Sequence, residues 1–206
     1  MDKFILKIDG SLTAQECDDM VAMFEDAKDE QRPGLTGGGI NENLKNTRDL
    51  SVTYLAMKCP RWASLDTMLC QRLSKGINTY AEHLSQQDFM GFQMNNITDS
   101  GYHIQKYDSG KGFYKWHHDY RKHLLKGTER VITFIWYLND ITEGGETEFV
   151  GGTRITPTRG SLLLFPSYWT FYHCGNIPIS SDKYICTGWL EVPHTSFIND
   201  GEKNIS

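Results

Sequence analysis

The spacing of apolar and polar residues predicts an edge strand and then a helix at the start of the chain. Residues 4–8 alternate between apolar and charged side chains, which predicts a short strand at the edge of a sheet. Thr13 stands three residues before Glu16, a pairing typical of a capping box at a helix start. Apolar residues then recur at steps of three and four, so we expect one amphipathic helix over about residues 13–29.

A glycine-rich segment follows this helix. Residues 31–46 contain Pro33, four glycines and three asparagines, which predicts a mobile loop. Such a loop acts either as a lid over a site or as a surface insertion, and the sequence leaves both open. Arg48 at its end is either a substrate contact or a solvated arginine, and residues 49–56 suit a short strand.

The rest of the chain changes from helical to strand-like spacing. An apolar stripe from Pro60 to about residue 85 predicts a second helix with one buried face. Six later segments are typical of strands, namely residues 89–95, 102–107, 131–138, 147–150, 160–165 and 183–191. This order predicts a sheet-rich α+β fold, a double-stranded β-helix (jelly roll) with N-terminal helices packed on one sheet. We expect a single domain over residues 1–206, with helical support and the candidate lid loop in 1–90 and the jelly-roll core in 91–195.

Two features are predicted inside the strand-rich part. Residues 130–140 are apolar on both faces, which predicts a central strand whose one face carries Val131, Thr133, Ile135 and Tyr137. After it, residues 143–146 hold two adjacent glycines, which can adopt the positive φ angles of a tight turn. We therefore expect this turn to form a hairpin with residues 147–149.

Composition and charge narrow the function classes. The formal net charge of -5 argues against a general nucleic-acid binder. Five cysteines, odd in number and without a Cys-x-x-Cys pair, indicate core thiols in a reducing compartment and favour the cytoplasm. The N-terminus is too charged for a signal peptide, and no apolar run approaches the roughly 20 residues of a membrane span. Residues 199–206 suit a frayed tail.

A candidate metal site lies in the strand-rich part. His117 and Asp119 are two residues apart, so in a strand or at its end both side chains point the same way. His173 lies far downstream, after a predicted buried strand that stops at Pro166. Two imidazoles and one carboxylate on a triangular face commonly hold ferrous iron and leave other positions open. The three residues therefore predict an iron site, whereas His118 should face the opposite side.

A lysine on an apolar strand indicates an anionic ligand. Lys183 shares one face of its predicted strand with Ile185, Thr187 and Trp189. Burial of a charge is costly unless the charge is paired. Lys183 therefore implies an anion, and a dicarboxylate cosubstrate would supply one.

Together, these motifs resemble one enzyme family. They comprise residues 107–119, 137–140, 144–149 and 160–166, with His173 and Lys183. In order and spacing they are similar to the 2-oxoglutarate- and Fe(II)-dependent oxygenases of the prolyl 4-hydroxylase type. The similarity covers about residues 100–191, and the preceding helices resemble that family only in pattern.

The resemblance implies a role for each matching position. It implies that His117, Asp119 and His173 are the iron ligands and that Lys183 pairs with the distal carboxylate of 2-oxoglutarate. The other cosubstrate-pocket residues that it implies are Tyr107, Tyr137, Thr147, Thr187 and Trp189. His103 shares the Tyr107 face of its strand and is an additional candidate for the pocket. A lysine gives a point charge where an arginine would give a bidentate clamp.

The resemblance also implies cofactors and a reaction. Fe(II), 2-oxoglutarate and O₂ would be used, with ascorbate as a further candidate, and hydroxylation of a C–H bond would also yield succinate and CO₂. The carboxylate of Asp119 favours hydroxylation, because halogenating relatives carry a small residue there. Three functions stay open: hydroxylation of a prolyl or other residue in a peptide or protein, hydroxylation of a free amino acid or small metabolite, and a non-catalytic jelly-roll binding module.

Overall fold

The computed structural model describes residues 3–87 and 96–194. Its α-helices are α1 (Ala14–Asp26), α2 (Val52–Ala56) and α3 (Pro60–Ser85), and 3₁₀ turns lie at Lys28–Glu30 and Trp169–Phe171. None of the described helices combines the length and the apolar character that crossing a membrane requires. The strand predicted at residues 89–95 and the tail predicted at 199–206 lie outside the described residues.

The described part contains sixteen strands, most of them short. The strands are β1 (Leu6–Ile8), β2 (Arg32–Pro33), β3 (Leu35–Thr36), β4 (Gly39–Ile40), β5 (Lys45–Asn46), β6 (Arg48–Ser51), β7 (Thr98–Asp99), β8 (His103–Tyr107), β9 (Phe113–His117), β10 (Lys122–His123), β11 (Thr128–Tyr137), β12 (Thr147–Phe149), β13 (Arg154–Ile155), β14 (Leu162–Pro166), β15 (His173–Gly175) and β16 (Lys183–Pro193).

The helix starts follow local capping rules. The Thr13 hydroxyl accepts the Glu16 N–H, and the Glu16 carboxylate accepts the Thr13 N–H, which confirms the predicted capping box. The first helix ends at Asp26, and a separate 3₁₀ turn covers Lys28–Glu30 where the prediction continued the α-helix. Helix α3 matches its predicted range, with Pro60 in the first turn, where its missing N–H has no intrahelical partner to lose.

Two antiparallel sheets form the framework. The larger has the order β1-β14-β11-β16-β8-β6-β2, with β10 added to β11 and β7 to β16. The smaller has the order β13-β12-β15-β9-β5, and β3 and β4 form a separate hairpin. Strand β11 lies between β14 and β16, which confirms that it is central, and β1 lies at the edge, as predicted.

Buried apolar side chains fill two layers. One cluster joins Phe24 of α1 and Leu69 of α3 to Trp136 and Leu164 of the larger sheet. The second cluster lies between the two sheets, where Phe149 of β12 and residues of β11, β14 and β16 are buried together. The candidate site occupies the polar end of this inter-sheet space, since it lies among strands of both sheets.

Two local predictions are wrong. Residues 49–56 do not form one strand, because the Ser51 hydroxyl accepts the Tyr54 N–H and starts α2 after β6. Strand β12 pairs with β13 and β15 of the smaller sheet and not with β11. The glycine pair does adopt positive φ angles, 70° at Gly144 and 72° at Gly145. It lies in a connection that carries the chain from one sheet to the other.

The segment predicted as a loop, residues 31–46, has more regular structure than its composition indicates. Strand β2 joins the larger sheet through β6, and β5 joins the smaller sheet through β9. Between them, β3 and β4 form a two-stranded hairpin. The segment therefore connects the two sheets beside the candidate site, and its role as a lid stays a prediction.

Candidate active site

The three predicted metal ligands converge where two neighbouring strands of the smaller sheet meet. His117 ends β9 and His173 begins β15, and the two residues stand directly opposite each other in the antiparallel register. Asp119 follows β9 by two residues, and its N–H donates to the Ser167 carbonyl at 3.2 Å. His118 packs its ring on Tyr172, with centroids 5.3 Å apart, and does not join the triad.

The geometry of these three side chains suits one metal ion. The Nε2 atom of His117 lies 3.7 Å from Asp119 Oδ1, and that of His173 lies 3.5 Å from Asp119 Oδ2. The Nδ1 atoms of the two histidines lie 2.7 and 3.0 Å from the carbonyl oxygens of Lys115 and Phe171. A carbonyl only accepts, so each Nδ1 carries the proton and each Nε2 lone pair stays available for a metal.

A buried hydroxyl pair fixes the carboxylate. Thr133 of β11 donates from Oγ1 to Asp119 Oδ2 at 2.8 Å, and its Oγ1 also lies 2.9 Å from the Ser167 hydroxyl. Asp119 is only 9% exposed, so its carboxylate has little contact with water, and the Thr133 hydroxyl supplies a hydrogen bond that water would otherwise provide. Thr133 thus links the larger sheet to a ligand held by the smaller one.

The electrostatics of the triad also suit a divalent cation. Burial, helped by the nearby His173, lowers the pKa of His117 to about 3 against the opposing effect of Asp119, so the His117 imidazole is neutral near pH 7. Burial alone would raise the pKa of Asp119, but His173, His117 and the Thr133 hydrogen bond together hold it below its ordinary value. The site therefore offers neutral nitrogen and anionic oxygen donors, a set that fits ferrous iron.

Lys183 is a buried amine beside the triad. It is 2% exposed, and its Nζ donates to the Gly145 carbonyl at 2.9 Å and lies 4.1 Å from the Tyr107 ring centroid. Burial lowers the pKa of Lys183 to about 7, against the weaker opposing effect of Glu146. Within residues 3–87 and 96–194, no carboxylate forms an ion pair with this lysine. An anionic ligand would supply the missing partner.

Most of the other predicted pocket residues line the same cavity, whose volume is about 980 Å³. Tyr107 lies directly across from Lys183 in the pairing of β8 with β16. The Thr187 hydroxyl donates to the Phe134 carbonyl at 2.8 Å, and Trp189 and His103 complete one wall. Arg48, by contrast, pairs with Asp108 at 3.0 Å and does not line the cavity.

Tyr137 lies behind the cavity wall. It is fully buried, and its hydroxyl donates to Thr147 Oγ1 at 2.7 Å. Thr147 itself lines the cavity. Tyr137 therefore orients Thr147 and does not face the open space.

Arg130 and Tyr114 are among the cavity residues that the sequence did not indicate. The Arg130 guanidinium lies 3.4 Å from the ring centroid of Trp189, and Tyr114 stacks on His117 with centroids 3.5 Å apart. Alternation places Arg130 on the face of β11 opposite Thr133, but a register shift between Arg130 and Ile132 moves it to the cavity side. One irregular residue pairing thus reverses which face a side chain occupies, and no sequence signal marked it.

Comparison with known proteins supports the resemblance seen in the motifs. Residues 102–191 match the family model described as the 2OG-Fe(II) oxygenase superfamily. A probable prolyl 4-hydroxylase 9 of Arabidopsis thaliana is 26% identical over 208 residues, covering 86% of this chain and 65% of the relative. Prolyl 4-hydroxylase 1 of the same plant is 24% identical over 188 residues, covering 78% and 58%. The chain spans less than two thirds of the length of these curated relatives. The motif resemblance is confirmed.

Solved structures share the fold. A viral collagen prolyl hydroxylase from Paramecium Bursaria Chlorella virus-1, solved as a 2OG complex, gives a TM-score of 0.66 at 19% identity, covering 93% of this chain and 97% of the other. A Pseudomonas putida prolyl-4-hydroxylase gives 0.57 at 19% identity, covering 90% and 91%. A Trichoplax adhaerens prolyl hydroxylase, in complex with a hypoxia inducible factor peptide fragment, gives 0.66 at 16% identity, covering 92% and 84%. The sheet-rich jelly-roll class is confirmed.

Proposed function

We propose that this chain, whose residues 102–191 match the 2OG-Fe(II) oxygenase superfamily model, is a dioxygenase that hydroxylates a C–H bond in a prolyl or other residue of a peptide or protein. One observation carries the proposal. The His117, Asp119 and His173 side chains converge in one cavity beside a buried lysine that forms no ion pair with any described residue. A metal and an anionic cosubstrate together would satisfy both groups.

In this proposal His117, Asp119 and His173 would hold Fe(II) through their imidazole nitrogens and the carboxylate. Bound iron, 2-oxoglutarate and O₂ supply the oxidising chemistry, in which the substrate C–H becomes C–OH while 2-oxoglutarate becomes succinate and CO₂. The Lys115 and Phe171 carbonyls keep both imidazoles in the binding tautomer. Ascorbate stays a prediction.

The cavity wall of the larger sheet would bind 2-oxoglutarate. Lys183 pairs its ammonium with the distal carboxylate and thereby gains the counter-ion that its buried site lacks. The Tyr107 ring covers the lysine on one side, and the Gly145 carbonyl accepts one of its three N–H bonds. Thr147 and Thr187 contribute hydroxyls to the same wall.

The outer part of the cavity supports a peptide substrate. Leu35, Thr36 and Gly37 of the β3–β4 hairpin line one side, and Tyr120 and Arg121 line another. A cavity of about 980 Å³ that extends between such distant segments offers more room than 2-oxoglutarate fills. An extended chain could therefore cross the site, with one residue placed beside the metal.

Two buried donors would position that residue. Arg130 Nε and Trp189 Nε1 are inaccessible to solvent and lack hydrogen-bond partners among the described residues. Both side chains lie in the cavity wall. Since leaving buried donors unpaired is costly, a small shift of either side chain toward the cavity would let it donate to a carbonyl or carboxylate of the substrate. A carboxylate would equally suit the second candidate, a hydroxylase of a free amino acid.

Anaerobic titration of the purified protein with Fe(II) and 2-oxoglutarate tests the cofactor assignment. We expect a weak visible metal-to-ligand charge-transfer band that is absent in His117→Ala and requires far more 2-oxoglutarate in Lys183→Ala. His83→Ala, which changes a histidine outside the cavity, is the matched control and should keep the band. No band in the wild-type protein, with neither partner bound, would support the binding-module alternative.

Substrate class needs a second measurement. Proline-containing peptides and free amino acids are each added to the aerobic enzyme, and both succinate release and the mass gain of one oxygen atom are recorded. Peptide hydroxylation that is reduced in Arg130→Gln supports the proposal. Hydroxylation of a free amino acid alone would favour the second candidate.

A further inference from the structure

A basic hairpin projects beside the cavity mouth. It consists of residues 121–128, with Lys122–His123 of β10 paired to Glu129 and Thr128 of β11. Arg121, Lys122 and Lys126 are exposed, and no carboxylate in the described ranges forms an ion pair with any of them. These cations stand on a chain whose formal net charge is -5. The charge of this hairpin is therefore opposite to that of the molecule as a whole.

Two acidic groups, Glu191 and Glu129, contact side chains at the base of the hairpin. Glu191 lies 3.2 Å from His123 and accepts the Thr128 hydroxyl at 2.8 Å. Glu129 accepts the Tyr120 hydroxyl at 3.1 Å. These contacts hold the base of the hairpin and leave the exposed cations without neutralisation.

Apolar groups accompany the exposed cations. Leu124 and Leu125 at the hairpin tip are 82% and 105% exposed. Next to the hairpin base, Tyr120 stacks on Tyr168 with ring centroids 5.0 Å apart, and Trp169 beside Tyr168 is exposed. Apolar side chains in such numbers on one polar-rimmed surface are typical of interaction sites.

This surface is continuous with the cavity. Tyr120 and Arg121 line the cavity mouth, and Arg121 begins the hairpin. The Arg130 N–H donates to the Arg121 carbonyl at 3.0 Å, so the hairpin base is tied to the cavity wall. A polypeptide that places one residue in the cavity would therefore pass over the hairpin.

We propose that the basic hairpin, with the adjoining Tyr120, Tyr168 and Trp169, binds an acidic segment of the polypeptide substrate outside the residue that is hydroxylated. This inference rests on the proposed function and adds the substrate class, which is a protein or peptide with carboxylates flanking the reacting residue. Complementary charge would raise the association rate and the affinity, and salt would weaken both. The apolar tip would contact aliphatic or aromatic side chains of the same segment.

Fluorescence anisotropy with synthetic peptides tests this proposal. The probes are two labelled Ala-Pro repeat peptides, one with four glutamates at its N-terminus and one with four glutamates at its C-terminus. The control for each is the same peptide with glutamine in place of glutamate. The protein is loaded with Fe(II) and 2-oxoglutarate under anaerobic conditions, so that no turnover occurs. We expect a glutamate peptide to bind at least about tenfold more tightly than its glutamine counterpart at low salt, with the difference shrinking at high salt.

Charge-reversal variants localise the effect. Lys122→Glu/Lys126→Glu, at two exposed hairpin positions outside the cavity wall, should remove the preference for glutamate and leave binding of the glutamine peptides unchanged. The matched control is Lys28→Glu/Lys75→Glu, which reverses the same number of exposed charges on the helical side and should keep the preference. Leu124→Ser/Leu125→Ser should weaken binding of both peptides by a similar factor.

The contrary outcomes are distinct. Equal binding of the two peptides by wild-type protein, or a preference that survives the hairpin reversal, overturns the proposal while the charge-transfer band still supports the dioxygenase assignment. Loss of the band itself would instead overturn the proposed function. Sedimentation with phosphatidylserine-containing vesicles is the third arm, and hairpin-dependent vesicle binding without a peptide preference would assign the surface to a membrane and not to a substrate.

Discussion

The imidazole rings of His117 and His173 lie 4.2 Å apart because β9 and β15 pair with these two residues in register. The hydrogen-bond ladder of the smaller sheet therefore sets the distance between the two nitrogen donors. Asp119 depends on a different element, because Thr133 of the larger sheet donates to its carboxylate. The candidate metal site thus requires both sheets to be in place.

We expect Thr133→Val to weaken Fe(II) binding without unfolding the protein. Valine keeps the shape of the side chain but removes the donor to Asp119. Loss of such a hydrogen bond to a metal ligand typically lowers the metal affinity by about 10–100-fold. Anaerobic metal titration of wild type and variant measures the change. Thr67→Val, at an exposed position of α3, is the control. Unchanged affinity in Thr133→Val would show that the sheet contact does not hold the carboxylate.

Lys183→Met should separate cosubstrate binding from folding. The methionine fills a similar volume without charge, so the cofactor-free protein avoids burying an amine and should be about as stable as wild type. Loss of a charge-assisted contact worth about 1.5–3 kcal/mol should raise the KM for 2-oxoglutarate by roughly 10–150-fold. Uncoupled succinate release and urea denaturation are the two measurements, with Lys75→Met as the exposed control. A large loss of stability with little change in KM would make Lys183 a structural residue.

The affinity for 2-oxoglutarate should fall as pH rises above 7. Burial lowers the folded-state pKa of Lys183 to about 7 from its ordinary value of 10.5, so above pH 7 the free amine must take up a proton to pair with the ligand. The expected slope is up to about tenfold per pH unit. Anaerobic calorimetry in buffers of different ionisation enthalpy would detect the proton uptake, and Lys183→Arg should remove the slope.

The depressed pKa of Lys183 should make the cofactor-free protein more stable as pH rises, although it makes 2-oxoglutarate bind less tightly. Between about pH 7 and 10.5 the unfolded chain binds a proton at Lys183 that the cofactor-free folded protein does not bind. The free energy of unfolding should therefore rise with pH across this window, and this increase should be smaller in Lys183→Met. Urea denaturation at several pH values measures it. If the free energy of unfolding depends on pH equally in both proteins, the proton taken up on unfolding binds to a group other than Lys183.

The ion pair between Lys45 and Asp49 should contribute to stability through its burial. Lys45 of β5 is 3% exposed, and its Nζ lies 2.5 Å from the Asp49 carboxylate of β6, so the pair joins the two sheets. Lys45→Met leaves a largely buried carboxylate without its cation and should cost about 3–5 kcal/mol. Arg159→Met, which breaks the exposed pair with Asp18, should cost about 1 kcal/mol or less. Similar losses in the two variants would contradict this difference.

The sequence by itself determined the parts that depend on local chemistry. The capping box at Thr13 predicts the start of α1, and the two-residue alternation through Thr133 predicts strand β11. Both signals come from residues that are close together in the sequence. The two-residue spacing of His117 and Asp119 and the isolated charge of Lys183 identified the candidate chemistry, since few structures tolerate such groups together without a ligand. His173 joined them because it follows a predicted buried strand, and the family resemblance implied the same three ligands.

Only the tertiary structure decided what depends on pairing between distant segments. Periodicity does not reveal which sheet a short strand such as β12 joins, nor that residues 31–46 connect both sheets. It also missed Arg130, because a register shift in β11 reverses the face that alternation predicts. Local patterns record which faces are apolar, whereas register is settled only when two strands compete for the same hydrogen bonds and the same core.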